Sequence, residues 1–161
     1  MAVKRAPATS KEVLRVTPLG GIGEIGKNMT VFEFGDEVIV VDCGLAFPEE
    51  EMYGIDIVIP DITYLRQQKD KVKAFVITHA HEDHVGALPY VLPDFPGVPV
   101  YASTLARGLL SNKIKEHKLR NNPLKAIEPG DTVELGNFDV TAFRIGHSIP
   151  DAMGMRIRTP F

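Results

Sequence analysis

The chain has 161 residues, 44% of them hydrophobic and 24% charged, with a mean hydropathy of −0.01, which fits one folded domain and excludes a disordered chain. A net charge of −3 excludes a protein that coats nucleic acid through bulk positive charge. No apolar run reaches the roughly 18 residues of a membrane span, and MAVKRAPATSKEV lacks the apolar stretch of a secretory signal.

Residues 1–11 read as a flexible tail, and 12–161 as the folded part. A strand is expected over 12–19, followed by the glycine-rich loop GGIGEIGKN, residues 20–28. Strands over 29–34 and 37–41 join at Gly35-Asp36 as a tight hairpin, and the second ends in Asp42-Cys43-Gly44. Residues 45–60 read as irregular, with Glu49-Glu50-Glu51 as a solvated run. Asp61, after Pro60, caps a short helix to about residue 68. Residues 72–78 form an apolar, β-branched strand that runs straight into a histidine cluster. A helix starts near His84 and carries Val85, Leu88 and Leu92, limited by Pro89. A strand over 98–102 precedes a helix from Ser103 to about Lys118, with Leu105, Leu109, Leu110 and Ile114 as its apolar stripe. Four strands then follow, near 124–128, 131–135, 137–145 and 153–158, turning at Gly130-Asp131 and Gly136-Asn137. Strand pairs on either side of alternating strands and helices predict an α/β sandwich with mixed sheets.

Three histidines and an aspartate crowd into Thr78-His79-Ala80-His81-Glu82-Asp83-His84. This set stands at the carboxyl end of a buried strand, where α/β folds place chemistry. Imidazole and carboxylate together are ligands for zinc and related first-row metals. The spacing is not the His-Glu-x-x-His of a helical protease site, because Val85 stands where the second histidine would be. His79 and His81, two apart on extended chain, converge on one metal; Asp83 and His84 point toward a second. Single cysteine Cys43 excludes a disulfide or a cysteine-rich zinc module, reads as a small buried residue, and sets a reducing, cytoplasmic compartment as the expectation. His117 reads as a surface residue. Arg107, Lys113, Lys115, Lys118, Arg120 and Lys125 read from charge alone as a solvated helix face.

LGGIGEIGKNM (19–29), VVDCGLAFPEEEMYGIDIVIPDITYL (40–65), ITHAHEDHVGALPYVL (77–92) and GHSIPDA (146–152) resemble the bacterial ribonuclease J family. That family lies in the β-CASP branch of the metallo-β-lactamase superfamily. The resemblance implies an αββα sandwich of which this chain is the first half. It implies that His79, His81 and His147 hold one zinc ion, and that Asp83 and His84 hold part of a second. Asp83 would also help to position the attacking group, and Asp42 would brace the metal loop from behind. Gly23, Glu24 and Asn28 match a loop near the mouth of the site. Ser148 and Asp151, beside His147, either serve its turn, with Pro150 between them, or orient the ligand or line the substrate groove. Two Zn2+ ions are the implied cofactors, with Mg2+ or Mn2+ as alternatives.

The implied activity is hydrolysis of RNA phosphodiester bonds, both 5′-to-3′ exonucleolytic with a preference for a 5′-monophosphate and endonucleolytic. The implied partners are the RNA substrate, copies of the full-length protein in a homo-oligomer and an RNA-degradation complex, with no membrane. A bridging aspartate, the β-CASP domain and a C-terminal domain are expected beyond residue 161, so the chain alone is expected to bind metal weakly and to catalyse little. Two other readings stay open: a small-molecule metallo-hydrolase acting on a thioester, lactone or lactam, and a non-catalytic scaffold that binds RNA.

Overall fold

The structure is a computed structural model, and it describes residues 13–119 and 121–160. The expected tail, residues 1–11, lies outside the described residues, as does Arg120.

Among the described residues, nine strands build two sheets. β1 (Leu14–Gly20), β2 (Met29–Phe34) and β3 (Glu37–Val41) are antiparallel neighbours. β4 (Val72–Val76), β5 (Val100–Ala102) and β6 (Leu124–Ala126) continue the same sheet in parallel, in the order β1-β2-β3-β4-β5-β6. The second sheet is an antiparallel meander of β7 (Thr132–Leu135), β8 (Phe138–Arg144) and β9 (Met153–Arg158). The helices are α1 (Thr63–Gln67), α2 (Glu82–Val85), α3 (Leu88–Val91) and α4 (Thr104–Glu116).

Side chains of a strand alternate between faces, and here both faces of the central strands are covered. Val38, Val40, Phe75 and Ile77 face the helices, where they meet Leu65, Leu88, Leu92 and Leu110. Ile39, Ala74 and Val76 face the second sheet, where they meet Phe138, Val140, Ala142 and Met153. The result is a helix layer, a large sheet and a small sheet. Glu37 ties the two sheets together: its carboxylate accepts from the backbone N–H of Asn137, at the β7–β8 turn. Among the described residues no helix is long and apolar enough to cross a membrane.

Most expected elements form, with shorter ends. The helix expected near His84 differs. It begins earlier, with His81 before its first residue, and breaks into α2, α3 and a 3-10 turn at Leu92–Asp94. Pro89 and Pro93 stand in the first turns of the last two pieces, where a missing N–H costs nothing but a continuous helix cannot pass. Asp61 stands one residue before the N-cap of α1, which is Ile62; its carboxylate accepts from Thr63 N–H at 2.8 Å in a turn that leads into the helix. Strand 98–102 shrinks to its last three residues.

Phe138 is fully buried between the sheets. Phe138→Ala is therefore expected to lower unfolding free energy by about 3–5 kcal/mol, read as a shift in the denaturant midpoint.

Candidate metal centre

Parallel strands deliver their carboxyl ends to one edge of a sheet. β3 delivers Asp42 there and β4 delivers Thr78 and His79. The loop after β8 brings His147 to the same place, because Met153 N–H bonds to Thr78 C=O at 3.0 Å.

Asp42 organises this edge. It is buried, with φ at 61°, a left-handed conformation that aspartate tolerates better than most residues. Its Oδ1 accepts from Thr78 N–H at 2.8 Å, and its two oxygens accept from the Thr78 hydroxyl at 3.0 and 2.8 Å. Its Oδ2 also lies 2.7 Å from His84 Nδ1.

These contacts decide the histidine tautomers. The Thr78 hydroxyl spends its proton on Asp42, so at 3.0 Å it accepts from His79 Nδ1–H. That leaves the lone pair of His79 on Nε2. By the same logic His84 donates from Nδ1 and keeps its lone pair on Nε2. Thr78 is the residue that sequence reasoning missed as a participant; its only signal was its place between the strand and His79.

His79 Nε2, His81 Nδ1 and His147 Nε2 form a triangle with sides of 3.1, 3.1 and 3.2 Å. Three nitrogens sharing one tetrahedral zinc at about 2.0–2.1 Å lie about 3.3 Å apart, so the spacing fits. These three residues are a candidate metal-holding group among the described residues. His84 Nε2 and Asp83 Oδ2 form a separate pair 3.5 Å apart. Asn28 Nδ2 lies 3.1 Å from Asp83 Oδ2 and 3.3 Å from His84 Nε2, so this residue of the glycine-rich loop reaches into the site itself.

The loops that carry these groups are sewn together by backbone hydrogen bonds. Cys43 N–H bonds to His84 C=O at 2.8 Å, Leu45 N–H to Glu82 C=O at 3.0 Å, and Asn28 N–H to Asp83 C=O at 3.0 Å. Gly44 lies so close to this turn that a Cβ would overlap the Asp83 carbonyl. Gly23 and Glu24 line a neighbouring cleft of about 760 Å³, together with His81 and Asp83.

Other expected residues fall elsewhere. Cys43 is buried, and burial and Asp42 raise its thiol pKa. His117 is exposed, with its ring 5.3 Å from that of Tyr90. Glu49, Glu50 and Glu51 are exposed in their loop. Arg107, Lys115 and Lys118 are exposed on or beside α4, whereas Lys113 pairs with Glu82 at 2.5 Å. Ser148 is exposed, and Asp151 accepts from Leu105 N–H at 3.0 Å.

Burial, reinforced by the neighbouring imidazoles, holds the His79 pKa down to about 4. Burial also acts against the charged form of His84, but the hydrogen bond and charge of Asp42 and the charge of Asp83 outweigh it and raise its pKa. In the metal-free protein His79 is thus expected to stay neutral down to about pH 4 while His84 titrates above its ordinary value, as read from imidazole nitrogen shifts by NMR. The unfolded chain protonates His79 first, so stability from this group is complete above about pH 6.5 and is lost toward pH 4. His84 has the opposite sign, contributing fully below about pH 6.5 and losing that contribution as pH rises through its raised value. Asp42→Asn is expected to weaken zinc affinity by about 10–100-fold, read by chelator competition, because an amide cannot accept all of these hydrogen bonds.

The profile described as the metallo-beta-lactamase superfamily matches residues 22–154. The chain is 51% identical over 154 residues to ribonuclease J of Thermus thermophilus, covering 91% of this chain and 27% of that protein. It is 43% identical over 152 residues to ribonuclease J of Helicobacter pylori, covering 93% and 22%. The chain thus spans roughly a quarter of the length of the curated relatives it matches. Solved structures share the fold. A protein of unknown function from Enterococcus faecalis has a TM-score of 0.72 at 20% identity, covering 91% of this chain and 41% of that one. The short form of human tRNase Z has a TM-score of 0.61 at 17% identity, covering 89% and 63%. With that profile spanning both histidine-bearing loops and the fold bringing those loops to one point, the chain belongs to the metallo-β-lactamase superfamily.

Proposed function

We propose that this chain is the histidine-bearing part of a zinc-dependent ribonuclease that hydrolyses RNA phosphodiester bonds within a longer protein. The observation that carries the reading is the triangle of His79, His81 and His147 nitrogens, in a chain 51% identical to a ribonuclease J. In this reading those three histidines hold one metal ion, and Asp83 and His84 hold part of a second. The donor set fits, because the three imidazole nitrogens lie at a mutual spacing that suits zinc, His79 presents its Nε2 lone pair there, and His79 resists protonation. When bound, the metal ions supply Lewis acidity, acidifying a water and neutralising charge on the phosphoryl oxygens.

The protein's own groups do the positioning. Thr78 fixes the ring of His79, and Asp42 fixes Thr78 and His84 together. Asp83, only partly buried and steadied by Asn28, presents a carboxylate oxygen to accept a proton from the attacking water. The glycine-rich loop and the cleft beside it border the approach to these groups. The exposed cations Arg107, Lys115 and Lys118 add a local attraction for the phosphate backbone that the overall charge lacks.

The resemblance extends the reading to a cytoplasmic enzyme of the β-CASP branch, a homo-oligomer within an RNA-degradation complex. It acts on 5′-monophosphorylated RNA from the 5′ end and also cuts internally, with Zn2+, Mg2+ or Mn2+.

The full-length protein is expected to bind about two metal ions per chain and to cleave single-stranded RNA. His81→Ala is expected to lose one of these ions and to cut cleavage by more than about 100-fold, beyond the effect of removing a residue behind the ligands. Cleavage of a thioester or lactone without cleavage of RNA would replace this reading with a small-molecule hydrolase. RNA binding by metal-free protein, with no cleavage under any metal, would replace it with a scaffold.

A further inference from the structure

Among the described residues, backbone hydrogen bonds anchor the loop that carries His147 at its two ends. At its ends Ile145 N–H bonds to Ala152 C=O at 3.3 Å and Met153 N–H bonds to Thr78 C=O at 3.0 Å. Between them Gly146, His147 and Ser148 are exposed. Asp151 reaches out of the loop: its Oδ2 accepts from the Leu105 N–H at 3.0 Å. Leu105 is the second residue of α4, and its N–H is one of the donors that a helix start leaves without an intrahelical partner. Ser103 takes the next such donor, Ala106 N–H, at 3.2 Å. The first turn of α4 is therefore shared between its own cap and a residue of the His147 loop.

α4 makes a firm post for this attachment. Ala106, Leu110 and Ile114 are buried in the helix-side core. Two turns beyond the Asp151 contact, Lys113 Nζ donates to both oxygens of Glu82 at 2.6 and 2.5 Å. Glu82 stands between His81 and Asp83. One packed helix thus holds both segments that form the nitrogen triangle. Of the two contacts, the one from Asp151 holds the more exposed ligand, in a loop with no helix of its own. Asp151 also has φ at 75°, a conformation open to Asp, Asn and Gly but costly for other residues. A carboxylate at a helix N-terminus is favoured by the helix dipole as well as by the hydrogen bond.

We infer that Asp151 is a positioning residue for His147: tied to the start of α4, it fixes the third corner of the metal-binding triangle. The inference rests on the proposed reading of His147 as a ligand. Asp151 touches neither metal nor substrate, so its effect is read in metal affinity.

The experiment is a zinc titration of the full-length protein by chelator competition, alongside the thermal midpoint of the metal-free protein. His147→Ala identifies the binding step that depends on this histidine; if no step changes, the reading of His147 as a ligand fails, independently of Asp151. Asp151→Gly keeps the backbone conformation available but removes the acceptor. It is expected to weaken that same step by about tenfold while the metal-free midpoint stays near that of the wild type. Asp151→Asn keeps an acceptor and the left-handed backbone, and is expected to stay within about threefold of the wild type. In the His147→Ala background, Asp151→Gly is expected to add nothing, since the two residues act as one unit. Wild-type affinity in Asp151→Gly would overturn the inference. So would an equal weakening in both backgrounds, which would leave Asp151 as a helix cap alone. If Asp151→Gly lowers the metal-free midpoint, the same cycle read well below both midpoints still separates these outcomes.

Discussion

The carboxylate of Asp42 is the constraint on which the rest of the site depends. It is buried where β3 ends, and water cannot satisfy it there. Its oxygens are satisfied by the backbone and hydroxyl of Thr78 and by His84, groups that lie beyond β4. Each contact removes a freedom. The Thr78 hydroxyl can no longer donate to His79, so His79 must donate to it and aim its lone pair outward. His84 must hold its proton on the inner nitrogen. One aspartate thus decides the tautomer of two histidines in different positions, and does so without reaching the nitrogens that converge.

That arrangement needs close backbones as well as the right side chains. The segment after β3 runs against the turn that carries Asp83 and His84, joined through Cys43 and Leu45, and the loop before β2 joins the same turn through Asn28. Gly44 permits the approach because it has no Cβ to place against the Asp83 carbonyl. The broken helix that follows belongs to the same economy of space. Pro89 and Pro93 restart the chain in short pieces, and this packs Leu88, Val91 and Leu92 under the sheet while the histidine turn stays at its edge. The two cores on either side of the large sheet hold that edge still, and α4 joins its two ligand-bearing loops from one side.

The cluster of His79, His81, Asp83 and His84 was legible in the sequence because four chemically matched residues fall within six positions after an apolar strand. The strand over 37–41 was legible for the same kind of local reason, an apolar run after the Gly35-Asp36 turn. His147 was legible only through resemblance, since it lies 68 positions beyond His79 and distance along the chain carries no geometric signal. The helix near His84 was misjudged because its apolar spacing suits one helix, whereas two prolines and the demands of the histidine turn divide it. Thr78 and Asn28 illustrate a different limit. Threonine and asparagine are common at strand ends and in loops, so residue type alone does not show that Thr78 bonds to Asp42 and His79 or that Asn28 reaches Asp83 and His84.

By itself, then, the sequence determined the strand and helix order, the residue types able to bind metal, and the family to which the chain belongs. Those properties depend on patterns within a few turns or strands of chain. Tertiary structure decided which nitrogen of His79 and of His84 carries the lone pair, that nitrogens of His79, His81 and His147 lie 3.1–3.2 Å apart, and that α4 holds both loops. Those properties arise from hydrogen bonds between residues far apart in the chain, and such bonds exist only once packing has brought their partners together.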